Sequence, residues 1–362
     1  MIESVAGRRI LVVGGAGFVG SNLVRRLVAD GAGSVLVVDN LLSSNRDQVP
    51  ESTVVRFIEG SIADDRILDL LADEVDIAFH LATYHGNQSS IANPLADHEN
   101  NTLTTLKLFD RLAGFGRLSR VVYASAGCTV AEKTDNVARP TTEVDPVSLH
   151  LDSPYQISKI VGEMYANYYF ARHGLPVVIA RFQNVYGPGE VLGAGRWRGT
   201  PETVWRNVTP TFVFRALRGL PLLLENDGLA TRDFIYVEDV VTGLLACALR
   251  GSNGEVYNLA SGVETSIRDL AEAINAHVDP PTALEIAPRR SWDRSGHRYG
   301  SPEKARRELG FAAEVGLADG ISRTVGWTQT HLVEIEASIA RHREHFGPGA
   351  LPATTNVRAK IK

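Results

Sequence analysis

The chain is poor in cysteine, in long apolar runs and in excess positive charge. Among its 362 residues are only two cysteines, Cys128 and Cys247, which excludes a fold held by a disulfide framework. No apolar run approaches the length of about eighteen residues that spans a membrane, and the first residues lack the apolar segment of a signal peptide. We therefore expect a cytoplasmic protein.

Charge is nearly balanced. The 37 basic and 42 acidic side chains give a net charge of −5, so no overall basic surface invites nucleic acid or an anionic membrane. With 44% apolar and 22% charged residues the composition is that of an ordinary globular protein with a sizeable core. We find no internal repeat and predict no metal site. Cys247 lies at helical spacing among apolar residues and is predicted to be a buried core thiol.

Short β-branched runs alternate with amphipathic stretches through the first half of the chain. The runs read RRILVVGG, SVLVVDN, VVRFIEGS, VDIAFHLA, RVVYASAG and PVVIARFQNVYG. Strands that alternate with helices predict a parallel sheet covered by helices on both faces. The fold class is therefore α/β with a doubly wound parallel sheet, and the less regular second half predicts a smaller lobe.

A glycine-rich turn joins the first apolar run to a helix in VVGGAGFVGSNLVRRL. Gly14, Gly17 and Gly20 stand where a side chain would block a tight turn, the approach of a pyrophosphate, or packing of the helix on the sheet. Asp39 ends the next strand, at the spacing of an acid that binds the adenosine ribose. Because a 2′-phosphate would meet a like charge there, the motif predicts NAD and disfavours NADP.

A tyrosine and a lysine stand four residues apart in SPYQISKIVGEMY. On a helix Tyr155 and Lys159 share one face, and a cationic lysine lowers the pKa of a nearby phenol toward that of a general base. Alone, such a pair is common on protein surfaces. One strand after a nucleotide-binding turn, and followed by ARFQNVYGPG, it predicts a catalytic pair.

From about Arg9 to about Trp327 the sequence resembles the extended short-chain dehydrogenases that act on nucleotide sugars, the epimerase/dehydratase group. Besides these motifs, the resemblance rests on HLA, NTLTT, RFQNVYGPG, TRDFIYVEDVV and NLASG. It implies a Rossmann-like domain at residues 1–185, with returns at about 233–261, and a sugar-nucleotide lobe at 186–232 and 262–345. Residues 346–362 have the composition of a poorly ordered tail.

The resemblance also implies which residues contact NAD. These are Gly14, Gly17, Phe18, Val19, Gly20, Asp39, Asn40, Ser61, Ile62, Leu81, Ala82, Asn101, Tyr155 and Lys159. Ser61 departs from the acid usual at its position in the family. Members usually pair through two helices, here at about Pro94 to Leu112 and Pro154 to Arg172, so we expect a homodimer.

The strand before the tyrosine helix ends in an unusual stretch, YASAGC. Family members carry two hydroxyl residues where this chain has Ser125 and Ala126, so a hydroxyl that helps to hold the reacting sugar oxygen is missing. Cys128 stands where dehydratases carry a glutamate, and the stretch is most similar to that of GDP-mannose 3,5-epimerases, whose cysteine is an acid/base. A thiol titrates near pH 8.5 and can exchange protons near neutrality. The alternative is a small buried filler after the strand.

The predicted activity is epimerisation of a nucleotide sugar through a transient 4-keto group, with Tyr155, Lys159, Ser125 and Cys128 as catalytic residues and Cys128 inverting C3 or C5. The first alternative is a 4-epimerase of the UDP-glucose or UDP-glucuronate type. The others are a 4,6-dehydratase, which Gly127 and Cys128 disfavour, a decarboxylase, and a non-catalytic NAD-binding protein. For the acid/base opposite Cys128, His85 is a candidate, although an exposed loop histidine is the commoner role. The predicted substrate-binding residues are His85, Asn184, Asn207, Arg232 and Arg298, the two arginines for a diphosphate.

Overall fold

A computed structural model describes residues 3–127, 138–288, 296–346 and 360–361. In chain order the strands are β1 Arg9–Val13, β2 Ser34–Asp39, β3 Val55–Glu59, β4 Ile77–His80, β5 Arg120–Ala126, β6 Val177–Phe182, β7 Asn184–Tyr186, β8 Leu222–Glu225, β9 Thr231–Tyr236, β10 Val256–Leu259, β11 Glu264–Ser266, β12 Val278–Asp279, β13 Leu284–Ala287 and β14 Lys360–Ile361. The six predicted apolar runs contain β1 to β6, which confirms them as strands.

Helices follow most of these strands. They are α1 Phe18–Ala29, α2 Asp65–Leu68, α3 Asn87–Ala92, α4 Pro94–Asp97, α5 Thr104–Ala113, α6 Pro154–His173, α7 Val208–Leu217, α8 Val237–Arg250, α9 Ile267–Asn275, α10 Glu303–Leu309, α11 Leu317–Thr330 and α12 Leu332–Ala340. A π-helical segment, His98–Leu103, joins α4 to α5. No helix among the described residues is long and apolar enough to cross a lipid bilayer.

The largest sheet has seven strands in the order β10-β6-β5-β4-β1-β2-β3. Every neighbouring pair in it is parallel, as the alternation of strands and helices predicts. One face packs on α1 and α8 through Leu23, Leu27 and Leu244, and the other packs on α5 and α6 through Leu108 and Tyr169. The predicted Rossmann-like, doubly wound fold is confirmed.

Cys247 lies on α8 within the first of these two cores. Its side chain is fully buried, and burial raises the pKa of its thiol to about 12. The thiol is therefore protonated and packed like a small apolar group, as its spacing in the sequence predicts.

The second half of the chain forms the smaller lobe. β9 lies between β7 and β11 in a three-stranded sheet, and β8 pairs with β13. Within the predicted return at 233–261, α8 packs on the large sheet and β10 completes it, whereas β9 stays in the small sheet. Most of the predicted tail, 346–362, lies outside the described residues, although β14 pairs with β12. The exact division into domains stays a prediction.

Candidate active site

A cavity opens at the carboxyl ends of β1, β2, β4 and β5. The connections of β1 and β4 leave the sheet in opposite directions, and such a switch point leaves a crevice between neighbouring loops. Of the predicted site residues, those that line the cavity are Gly14, Gly17, Phe18, Val19, Gly20, Asp39, Asn40, Ser61, Ile62, Leu81, Ala82, His85, Ser125, Tyr155, Lys159, Asn184 and Asn207. Residues that are far apart in the sequence thus line a single cavity.

Gly14 and Gly20 of the first turn are required because a side chain at either position would collide with nearby backbone. Gly14 adopts a φ of +87°, and a Cβ there would lie 2.4 Å from the backbone nitrogen of Ala82. At Gly20 a Cβ would lie 2.1 Å from the carbonyl oxygen of Gly14, where α1 packs against the turn. Gly17 borders the cavity at the start of α1, without a side-chain cap. The free N–H groups and positive end of this helix suit a pyrophosphate.

Asp39 lies at the end of β2 with its carboxylate buried. Oδ1 accepts hydrogen bonds from the backbone N–H of Leu41 at 2.9 Å and from the Ser44 hydroxyl at 3.0 Å, and Oδ2 accepts from the N–H of Ala16 at 3.0 Å. Burial raises the pKa of Asp39, and these hydrogen bonds oppose the rise. A ribose hydroxyl that binds Asp39 would most easily replace Ser44, because the other two donors belong to the backbone.

Tyr155 and Lys159 lie in the first turns of α6, which Ser153 caps by accepting from the N–H of Gln156. The Lys159 ammonium donates to the carbonyl oxygen of Ala124 at 2.9 Å and lies 5.8 Å from the centre of the Tyr155 ring. Burial lowers the pKa of Lys159 to about 8. The sequence brings the pair to one face of the helix, as predicted.

The expected lowering of the Tyr155 pKa is not found in this structure. Burial is the largest cause and raises the pKa, the carboxylate of Asp97 raises it further, and a hydrogen bond with Thr83 partly opposes both. Desolvation of the phenolate therefore dominates the shift of the Tyr155 pKa. The raised pKa favours the phenol over the phenolate.

Asn101 was predicted to contact the cofactor, and it lies behind the cavity wall. Its amide oxygen accepts from the Thr83 hydroxyl at 3.0 Å and from the N–H of Tyr84 at 2.6 Å. Its amide nitrogen donates to Asp97 at 2.8 Å, and burial raises the pKa of Asp97 to about 6. In this structure Asn101 supports Thr83, which lines the cavity.

Ser125 reaches the cavity at the end of β5, beside Tyr155 and Lys159. Its hydroxyl donates to Glu163 at 2.6 Å. The next residue, Ala126, also lines the cavity but brings no hydroxyl. Cys128 lies outside the described residues.

His85 forms part of the cavity wall rather than an exposed loop surface. Its ring meets the Tyr155 ring edge-on, with the centroids 6.0 Å apart. Burial first, and then the charges of Arg206, Arg198 and Lys159, lower the pKa of His85 to about 3. The near-neutral pKa expected from its residue type is therefore wrong, and a neutral imidazole here can accept a proton only weakly.

Arg232 and Arg298 do not line the described cavity. Arg232 lies on β9, two residues before the cavity-lining Phe234, and donates to the carbonyl oxygen of Thr231 at 2.7 Å. Arg298 is 8% exposed and its backbone N–H lies 3.4 Å from the Thr231 hydroxyl. Their predicted contact with a diphosphate stays a prediction.

Two charged residues of the cavity were not among the predicted site residues. Glu190 is 5% exposed, accepts a hydrogen bond from Asn207, and burial raises its pKa to about 7. Arg206 donates to the carbonyl oxygens of Ser43 at 2.8 Å and Ala194 at 2.7 Å, which joins the small lobe to the loop after Asp39. Glu190 follows YGPG, so proximity to that motif was the available signal.

Comparisons with known proteins place this site in context. Residues 10–260 match the model of the NAD dependent epimerase/dehydratase family. A UDP-glucose 4-epimerase of Mycolicibacterium smegmatis is 35% identical over 323 residues, 88% of this chain and 97% of that protein. A dTDP-glucose 4,6-dehydratase of Streptomyces antibioticus is 32% identical over 337 residues, 88% of this chain and 91% of its own length.

A solved structure is more similar still. The Bordetella bronchiseptica enzyme WbmF, in complex with NAD+ and UDP, is 59% identical to this chain, with 94% of this chain and 98% of that chain covered and a TM-score of 0.84.

Proposed function

We propose, since the chain belongs to the NAD-dependent epimerase/dehydratase family, that it epimerises a UDP-sugar through a transient 4-keto sugar. The observation that carries the proposal is the convergence of Ser125, Tyr155 and Lys159 on the cavity that also holds the glycine turn and Asp39. UDP is favoured because it is bound in WbmF and named in the M. smegmatis relative.

NAD is the cofactor, and the residues present fit it. Gly14 and Gly20 leave no room for a Cβ, Gly17 leaves the start of α1 open, and Asp39 stands at the ribose position. When bound, NAD accepts a hydride from the sugar and returns it. We expect the purified protein to carry NAD, and release of mostly NADP on denaturation would contradict the role of Asp39.

The chain's own residues handle the protons. Tyr155, as its phenolate, takes the proton of the reacting sugar hydroxyl and later gives it back. Lys159 holds the phenolate by charge and orients the cofactor ribose, while Ser125 contacts the same sugar oxygen. The phenolate becomes more abundant as pH rises, so the rate should rise with pH. Because burial raises the pKa of Tyr155, this rise should extend to higher pH than for an exposed tyrosine.

Inversion at C3 or C5 needs a further acid/base beside the keto group. A ketone at C4 acidifies the neighbouring C–H bonds, and a thiol can remove and return such a proton. For this transfer we propose Cys128. For the proton transfer on the other face of the sugar, Glu190 is better suited than His85. Burial raises the pKa of Glu190 to about 7, and it lines the cavity with one buried oxygen, Oε2, that has no hydrogen-bond partner.

The second candidate is a 4-epimerase, which the named M. smegmatis relative favours. There the keto sugar turns over and the hydride returns to its other face, with no carbon-bound proton exchanged. Dehydration is disfavoured because Gly127 and Cys128 replace the acidic pair of dehydratases.

Heavy water distinguishes the two candidates. Nucleotide sugars such as UDP-glucose and UDP-glucuronate are incubated with the enzyme in heavy water, and the products are analysed by mass spectrometry. Inversion at C3 or C5 adds one deuterium per inverted centre, and Cys128→Ala abolishes this uptake while a transient reduced-nicotinamide absorbance remains. Product without deuterium, together with normal turnover by Cys128→Ala, replaces this proposal with the 4-epimerase.

A homodimer is also part of the proposal. On α6 the exposed apolar residues Ile157, Met164 and Tyr168 are spaced by seven and four, which places them on one stripe, and Leu95 of α4 is 76% exposed. These are the helices expected to pair. Light scattering of the wild type should give twice the chain mass, and Met164→Glu should give the monomer; a wild-type monomer would contradict the proposal.

A further inference from the structure

The Ser125 hydroxyl lies at the cavity, but it donates its hydrogen bond away from the cavity, to Glu163. Ser125 is 3% exposed and lines the cavity beside Tyr155 and Lys159. Its Oγ lies 2.6 Å from Oε1 of Glu163. A hydroxyl carries one proton and can accept two hydrogen bonds. If the proton is held by Glu163, only lone pairs remain for a sugar in the cavity.

Arg181 keeps Glu163 in the acceptor state. Glu163 lies on α6, one turn after Lys159, and Arg181 lies on β6. The guanidinium donates from Nε to Oε1 at 2.9 Å and from Nη2 to Oε2 at 2.7 Å, with both side chains at most 10% exposed. Such a two-pronged contact holds the carboxylate charged, and a charged carboxylate can only accept. The hydrogen bond with Ser125 therefore has one possible direction.

The Thr83 hydroxyl, which also lines the cavity, is not fixed in this way. It lies 3.0 Å from the amide oxygen of Asn101, and it also hydrogen-bonds with Tyr155, where it lowers the pKa of the phenol. Its single proton can serve either partner. The direction of donation is therefore fixed at Ser125 and not at Thr83.

We propose that Glu163 and Arg181 are positioning residues that make Ser125 a hydrogen-bond acceptor only toward the substrate. The inference rests on the proposed function, in which the reacting sugar hydroxyl lies at Tyr155 and Ser125. Before the sugar hydroxyl turns its proton to the Tyr155 phenolate, it can donate that proton to Ser125, whereas a ketone oxygen has no proton and gains nothing from an acceptor. The arrangement therefore stabilises the alcohol over the keto sugar and keeps the intermediate scarce.

The double variant Glu163→Met with Arg181→Met removes the acceptor behind Ser125, and it leaves no buried charge without a partner. The Ser125 proton is then free to enter the cavity. The probes are UDP-glucose and its 4-deoxy-4-fluoro analogue, which can accept but not donate at C4. Calorimetry on the NAD-loaded protein gives a Kd for each.

The wild type should bind UDP-glucose better than the fluoro analogue, and the double variant should reduce that preference by about three- to tenfold, the size of one ordinary hydrogen bond. In a Ser125→Ala background the double variant should leave the preference unchanged, because Glu163 acts through Ser125. A general loss of structure weakens both probes equally and does not move this ratio.

Three outcomes overturn the inference or its premise. An unchanged preference in the double variant, or an equal change in the Ser125→Ala background, overturns the role of Glu163. If the double variant does not fold, Glu163→Leu with Arg181→Met, which also removes both buried charges, is held to the same ratio. If neither probe binds the wild type, the proposed UDP-sugar function fails, and this inference fails with it.

Discussion

The two ends of the cavity are built on different principles. The glycine end, formed by Gly14, Gly17, Gly20 and Asp39, is made by backbone: a positive φ, close approaches and N–H groups that hold the carboxylate. The tyrosine end, formed by Ser125, Tyr155 and Lys159, is made by side chains. Burial shifts the pKa values of Tyr155 and Lys159, and a neighbouring carboxylate accepts the proton of Ser125.

The difference lies in what each end must do. Binding a cofactor needs a fixed shape, and a backbone shape is set by a few residues close in sequence. Moving protons needs groups whose pKa values depend on burial and on neighbours from other elements. The cofactor end of the cavity is therefore rigid and tolerates few side chains. At the tyrosine end, the pKa values of the reacting groups depend on residues from distant parts of the chain.

The largest effect should come from Tyr155→Phe. Only the phenolic oxygen is lost, so folding and NAD content should remain while the rate of sugar oxidation falls by about 10²- to 10⁴-fold. Reduced-nicotinamide absorbance in single turnovers measures the oxidation, and NAD released on denaturation measures the cofactor. Undiminished oxidation would remove Tyr155 from the mechanism.

Gly20→Ala tests the rigid end. Its Cβ would lie 2.1 Å from the Gly14 carbonyl oxygen, so the turn or α1 must shift, and we expect a loss of about 2–3 kcal/mol in the free energy of unfolding. Gly17→Ala is the matched control, because its Cβ would lie 3.3 Å from the same oxygen. It should retain stability and lose NAD affinity. Urea denaturation and calorimetry measure the two effects, and equal stability losses would contradict the distinction.

Glu190→Gln tests the reactive end through the pH dependence of stability. Burial raises the pKa of Glu190 from 4.5 to about 7, so between these values the folded state binds more protons than the unfolded state. The contribution of Glu190 to stability is therefore present below about pH 4.5 and is lost as the pH rises through about 7.

Relative to the wild type, Glu190→Gln should gain at most about 3 kcal/mol between about pH 4.5 and about pH 7, at about 1.4 kcal/mol for each unit of pKa. Urea denaturation at the two pH values measures the gain. Glu202→Gln, which removes a partly exposed carboxyl from the same loop, is the matched control. A pH-independent difference for Glu190→Gln would show that this carboxyl is not desolvated.

The smallest effect is expected for Ser44→Ala. Its hydroxyl donates to Asp39 at 3.0 Å, where we expect the ribose to bind. Loss of this hydrogen bond should cost the cofactor-free protein about 1 kcal/mol of stability and should raise NAD affinity, because no protein donor must then be displaced. Calorimetric titration with NAD measures the affinity, and a weaker affinity would place the ribose elsewhere.

The sequence by itself determined the sheet, the glycine turn, and the pairing of Tyr155 with Lys159. These features depend on spacing of two, four or a few residues, and such spacing is a local property of strands, turns and helices. The resemblance to the family also implied that Ser125 belongs to the site.

The tertiary structure decided the charges and the directions of hydrogen bonds. The raised pKa of Tyr155, the low pKa of His85 and the raised pKa of Glu190 arise from burial against elements distant in the chain. Ser125 donates to Glu163 because Glu163 on α6 and Arg181 on β6 meet behind it. Desolvation and ion pairing depend on what surrounds a group in three dimensions, and spacing along the chain does not contain that information.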